Sequence, residues 1–197
     1  MSTTEDAPLT NDGIALRGLL ARGAVSGVGA WLAGYLVTYV WKSEAVSEAL
    51  RGVGFVSQLL GGEAIPAWKG VSWLFLNAHF VATQIPTVAG GTRTANFVTG
   101  EEGSTLLLVL PALLLVVAGA VVAYGRATDP LGGAKAGAST VVGYLPLSAT
   151  AAFLTAHAIG DTEAAISADP VTALLLAGVV YPVVFGGLGG ALSALAE

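Results

Sequence analysis

Apolar residues along this chain come in long blocks rather than in alternation, and five blocks are long enough to cross a lipid bilayer. A hydrocarbon core of about 30 Å takes about 20 helical residues, and a helix satisfies its own backbone hydrogen bonds there. Gly23 to Trp41 carries no charge and is bracketed by Arg17 and Arg22 on one side and by Trp41 and Lys42 on the other, as interfacial anchors. Ala67 to Ile85 opens on Trp68 and Lys69 and ends before Pro86; it is the most polar of the five. Ser104 to Tyr124, Ala136 to Ala158 and Val171 to Leu192 complete the set. The pattern predicts an all-α fold, a polytopic transmembrane helical bundle of about five spans.

Between the first two blocks, Val46, Leu50, Val53, Val56 and Leu60 recur at helical spacing, while Glu44, Glu48, Arg51 and Gln58 take the other side. Charged residues at mid-bilayer cost a few kcal/mol each, about 3 for Arg. Residues 43–60 therefore read as an amphipathic helix lying in the interface, with a sixth crossing as the competitor. Residues 1–20 form an acidic, polar tail. Met1 to Asn11 lacks the basic start of a cleavable signal peptide, so 21–197 reads as one transmembrane domain.

Lys and Arg resist translocation, which gives the bundle a direction. The connection from Gly125 to Lys135 carries Arg126 and Lys135, whereas Gly160 to Pro170 has no base and holds Asp161, Glu163 and Asp169. The first is expected to be cytoplasmic and the second external. The C-terminus then lies inside, and a five-span count puts the N-terminus outside.

Composition agrees with the block pattern. Of 197 residues, 54% are hydrophobic and 11% charged, less than half the charged share of about 25% usual in soluble domains. There are no cysteines, which excludes disulfides and thiolate chemistry. The formal charge is −5, with no basic stripe to meet phosphates, so a nucleic-acid partner is not expected. The expected surroundings are the lipid bilayer and, by helix packing, a second copy or a membrane partner. Acidic, lysine-poor termini and loops also suit a protein from strong brine, where salt screens self-repulsion.

Two sets of residues in the helices stand out as structural. Gly23 and Gly27, Gly133 and Gly137, and Gly186 and Gly190 are spaced so that helix backbones can approach closely. Pro111, Pro146 and Pro182 fall inside the last three blocks, where each removes a backbone donor and favours a kink.

The second block holds the candidate chemistry. Asn77, His79, Thr83 and Gln84, with Ser72, are candidates for a polar pathway; as a continuous helix, Ser72, His79 and Thr83 would share one face, and Asn77 and Gln84 another. The competing reading is hydrogen-bonded packing between helices, without a ligand. His157 ends the fourth block near Asp161 and Glu163 and reads as solvated. No HExxH, HxxxH, Walker or GxSxG spacing is present, and no span holds Asp or Glu. No metal, cofactor or catalytic residue is therefore expected, and an enzyme is the least supported class. A faint internal similarity links Val141-Val142-Gly143-Tyr144-Leu145-Pro146 to Gly178-Val179-Val180-Tyr181-Pro182.

Several stretches together carry a resemblance: Arg22 to Tyr39, Trp68 to Val81 (WKGVSWLFLNAHFV), Gly137 to Pro146 and Leu176 to Ala191 (LAGVVYPVVFGGLGGA). With these the chain resembles an uncharacterised family of small haloarchaeal multi-pass membrane proteins, sometimes labelled transporters. The resemblance implies a salt-loving archaeal source and a cell-membrane location. It supplies no catalytic or binding residue. A transporter-like or channel-like protein, and a non-transporting scaffold or subunit packed through its Gly-rich helices, are the two functions to separate.

Overall fold

The computed structural model describes residues 11–87, 90–100, 104–162 and 164–196. The protein is mostly helical, and four helices are long and apolar enough to cross a membrane: Ala15–Leu59, Leu106–Ala123, Pro130–Leu154 and Pro170–Leu195. The chain is not all-α, because a four-stranded antiparallel sheet closes one end.

Helix α1 runs from Asn11 to Leu59 without a break. The proposed interfacial helix at 43–60 is therefore not a separate element. Nothing between Lys42 and Arg51 interrupts a helix, neither Pro nor Gly, so the apolar span passes directly into the amphipathic stretch. At about 1.5 Å per residue α1 is about 73 Å long, and more than half of that lies beyond what a bilayer covers. Of the acidic tail, residues 1–10 lie outside the described residues, while 11–20 are already helical.

The second expected span is not one. Helix α2, Ala67–Asn77, holds only 11 residues, and Gly70 through Asn77 are all buried. It descends beside α1, with Gly70 against Val46 and Leu50 and Phe75 against Gly34. The helix stops in a Schellman motif: the Val81 N–H donates to the Leu76 carbonyl (3.3 Å) and the Phe80 N–H to that of Asn77 (2.9 Å). Phe80 takes the left-handed conformation there, φ 61°, where glycine is usual. The chain then turns back along Val81, Thr83 and Ile85, whose β-branched alternation favours a strand. Residues 67–87 enter and leave from the same end.

Strand β1, Thr83–Pro86, pairs with β2, Thr92–Ala95, through a hairpin containing Gly90 and Gly91, both at positive φ. On its other side β1 pairs with β4, Ala165–Ala168, which pairs with the short β3, His157–Ala158.

Helix α3 is Leu106–Ala123. Helices α4, Pro130–Ala138, and α5, Val141–Leu154, form one rod with a slight break at Ser139 and Thr140. The last rod opens with α6, Pro170–Thr172, capped by Asp169, and ends with α7, Gly187–Leu195. Between them it is π-helical over Ala173–Val180 and Pro182–Gly186. Pro182 explains the widening: it has no N–H and its ring presses on the carbonyl four residues back. Beside it the Tyr181 N–H reaches the Leu176 carbonyl, five residues back. Pro111 and Pro182 are buried, whereas Pro146 is exposed.

The candidate packing glycines all sit at helix crossings inside the chain. A Cβ at Gly23 or Gly27 would run into Ser139 or Thr140, one at Gly133 into Gly190, one at Gly137 into Gly186, and one at Gly190 into Gly133; one at Gly186 would press on Thr140 and Gly137. Gly119 against Gly186 and Gly189 against Val116 close the remaining contact. Helices in lipid gain little from burying apolar side chains, so this close backbone approach does much of the holding. The rods alternate in direction. The sheet, α2 and the end of α1 gather at one end, opposite the 124–129 loop.

Candidate functional site

The polar residues of the second block converge, but not as two helical rows. Because the helix ends at Asn77, Thr83 and Gln84 belong to a strand, and Ser72 bonds back to the Trp68 carbonyl within α2 at 2.8 Å. His79 is buried in the turn. Its ring neighbours are Tyr144 on α5 and Tyr181 on the last rod, about three helical turns, roughly 15 Å, from the sheet-side ends of those rods.

His79 is saturated. A carbonyl can only accept, so Nδ1–H donates to the Phe75 carbonyl (2.9 Å) and Nε2 accepts from the Tyr144 hydroxyl (2.7 Å). In a neutral ring these roles are those of the Nδ1–H tautomer. Phe75 stands edge-on to the ring at 5.0 Å and Tyr181 lies 4.8 Å away. The Tyr181 hydroxyl donates to the Ala78 carbonyl at 3.4 Å. His79 is 0% and Tyr144 1% exposed, so the centre is closed to solvent and lipid alike.

Asn77 ties the turn together. Its Nδ2 donates to the Val81 carbonyl (2.7 Å) and the Thr83 hydroxyl (3.0 Å), and its Oδ1 accepts from the Phe97 N–H (2.9 Å). The Asn96 side chain donates to the Asn77 carbonyl at 3.0 Å. Buried non-helical backbone needs partners for its hydrogen-bonding groups, and Asn77 supplies them here. Gln84 sits farther out and donates to Asp169 at 2.8 Å. Asp169 caps the last rod, accepting from the Thr172 N–H and hydroxyl, both at 2.8 Å. The Thr172 backbone and hydroxyl, with a smaller share from Gln84, hold its carboxyl below the ordinary carboxylate range.

His157 is buried rather than solvated. Its Nε2 donates to the Glu63 carbonyl (3.3 Å), and the Lys69 ammonium lies 3.5 Å from its Nδ1 while donating to the Ala156 carbonyl at 2.7 Å. Among the described residues no three His, Asp or Glu side chains converge as metal ligands. Trp31 Nε1 and Ser148 Oγ are buried without a hydrogen-bond partner among the described residues. Two surface grooves occur elsewhere, one lined by Ala21, Arg22, Val25 and Ser26 with Val121 and Val122, the other along the Ser47 to Gln58 stretch with Ala64 and Ile65. Neither includes Asn77 or His79.

Sequence reasoning did not place Tyr144, Tyr181, Asn96 or Asp169 at this site. The signal for the two tyrosines was the faint Tyr-x-Pro and Tyr-Pro similarity, since both tyrosines flank His79. This arrangement locks a turn and holds one internal proton donor against one acceptor. Among the described residues its one carboxylate, Asp169, bonds to Gln84 and Thr172, not to His79. The chain belongs to DUF7978, a family of unknown function, whose profile matches residues 2–197. No curated protein and no solved structure matches it.

Proposed function

We propose that this chain is a non-transporting membrane module, a helical anchor that presents the far end of α1 to another membrane protein. The observation that carries the reading is the outward side of that end. Trp41, Ala45, Ala49, Gly52, Val56 and Leu59 fall on one strip and are all exposed, Leu59 at 69% and Val56 at 49%. On the inner side Val46, Leu50, Gly54 and Ser57 are covered by α2 and the 60–66 and 157–161 segments. A helix end standing in water carries polar residues outward, and an apolar outward strip marks a surface that another molecule covers. Small residues in the strip admit a second helix at close range. Glu44 and Glu48 run along one edge, where a two-fold parallel copy would oppose like charges, which favours a different chain.

The saturated His79 and Asn77 support the same reading; the packing glycines are taken up within the chain, which leaves the α1 strip and not the Gly-rich helices for docking. The basic 124–135 connection favours a cytoplasmic face for the end of the bundle that holds it, the start of α1 and the end of α7. Acidic, lysine-poor loops fit the brine setting that the family resemblance implies. Because the chain has no cysteine, V56C is the sole thiol and a cross-linker there reports one position. The expected result in native membranes is a discrete adduct with one other protein, lost in V56C/G52L. A monomer that mediates solute uptake in vesicles would reject the proposal.

A second reading, a transporter-like or channel-like pathway, is favoured by one observation: a short helix ending inside the bundle is how broken-helix transporters build their sites. It requires His79 to meet water in another state. Proton or solute flux that is abolished by H79N, with the fold retained, is the result that would favour it.

A further inference from the structure

The groove between the start of α1 and the end of α3 has a volume of about 460 Å³ and is lined by Ala21, Arg22, Val25, Ser26, Val121 and Val122. Its walls are apolar: Val25 and Val121 are exposed at 75% and 67%, while Val122 is buried. Ser26 turns its hydroxyl into the Ala118 carbonyl at 3.0 Å and leaves the groove floor without a free donor. Arg22 stands at the rim, exposed, with no hydrogen bond or ion pair to any described residue. The groove opens where α3 ends, at Ala123, next to the loop that carries Arg126.

An apolar slot beside an unpaired guanidinium, at the level where a membrane-spanning helix stops, matches one amphiphile in shape and charge. We propose that it binds an anionic phospholipid, with an acyl chain along Val25 and Val121 and the headgroup phosphate on Arg22. None of the lining residues is acidic, so the charge of the slot is that of Arg22 alone. A guanidinium offers paired donors to phosphate, and basic residues at a bilayer surface select anionic over zwitterionic lipid. This inference rests on α1 and α3 crossing the membrane and is independent of the docking role of the far end of α1.

The test uses the whole chain in micelles holding equal phosphatidylglycerol and phosphatidylcholine, with retained lipid read by native mass spectrometry. Wild type is expected to retain phosphatidylglycerol over phosphatidylcholine by about fivefold, the discrimination one basic residue supplies at a lipid surface. R22Q should abolish the preference. V25W keeps the arginine but fills the slot and should lower total retention, whereas R17Q, outside the lining, should leave both unchanged. Excess inorganic phosphate should not displace the lipid. Equal retention of the two lipids by wild type, an unaltered preference in R22Q, unaltered retention in V25W, or displacement by free phosphate would each overturn the proposal.

Discussion

The turn around His79 and the far end of α1 invert the usual rule in opposite senses. The first places polar side chains and irregular backbone deep among the four helices that are long and apolar enough to cross a membrane, and every one of its Asn77 and His79 contacts closes inward. The second turns apolar side chains outward at the far end of α1, with Phe55 62% and Leu59 69% exposed. The first region's contacts close within the chain, whereas the second leaves apolar side chains exposed. Polarity in a sequence therefore does not by itself mark an open site.

Glycines give the sharpest way to test that contrast. Gly186→Leu drives a side chain into Thr140 and the Gly137 backbone and should abolish the folded state, a loss of more than about 4 kcal/mol, read as failure to elute as a monodisperse species. Gly52→Leu meets nothing within 4 Å, and should gain up to about 1 kcal/mol in helix propensity while weakening partner capture. Asn77→Ala leaves the Phe97 N–H and the Val81 carbonyl without partners and should cost about 3 kcal/mol in thermal unfolding. Phe80→Gly removes the left-handed strain at the turn and should stabilise it by about 1 kcal/mol.

The smallest effect is one of pH. The carboxyl of Asp169 titrates lower in the folded chain than in the unfolded one, so its cap contributes stability above the ordinary carboxylate range. That contribution fades as pH falls through the folded value. Asp169→Asn, still able to cap, should flatten this part of an acid unfolding curve while keeping most of the plateau near neutral pH, which the non-capping Asp169→Ala should lower by about 1 kcal/mol.

The three last rods were legible in the sequence because their apolar runs leave no alternative; α3 holds no polar residue at all between Leu106 and Ala123. The small-residue spacings were legible as contacts, though not which helices they join, because a Gly-x-x-x-Gly row describes one face and not its partner. Two junctions misled. A window of hydropathy does not separate one 19-residue span from an 11-residue helix followed by a half-buried strand, and the buried run that decides it, Gly70 to Asn77, is short. Trp41 and Lys42, as interfacial residues, suggest a helix end that the continuous α1 does not have. The polar cluster was legible as residues. Its geometry was not, since the tyrosines that close it come from rods 65 and about 100 positions away in the chain.

The account turns on residues 67–87 entering and leaving from one side, and single cysteines at Glu63, Thr94 and Thr128, all exposed positions, test it in oriented membranes. With a membrane-impermeant maleimide, E63C and T94C are predicted to label from the same side and T128C from the other. Labelling of E63C and T94C from opposite sides would make 67–85 a crossing and contradict it.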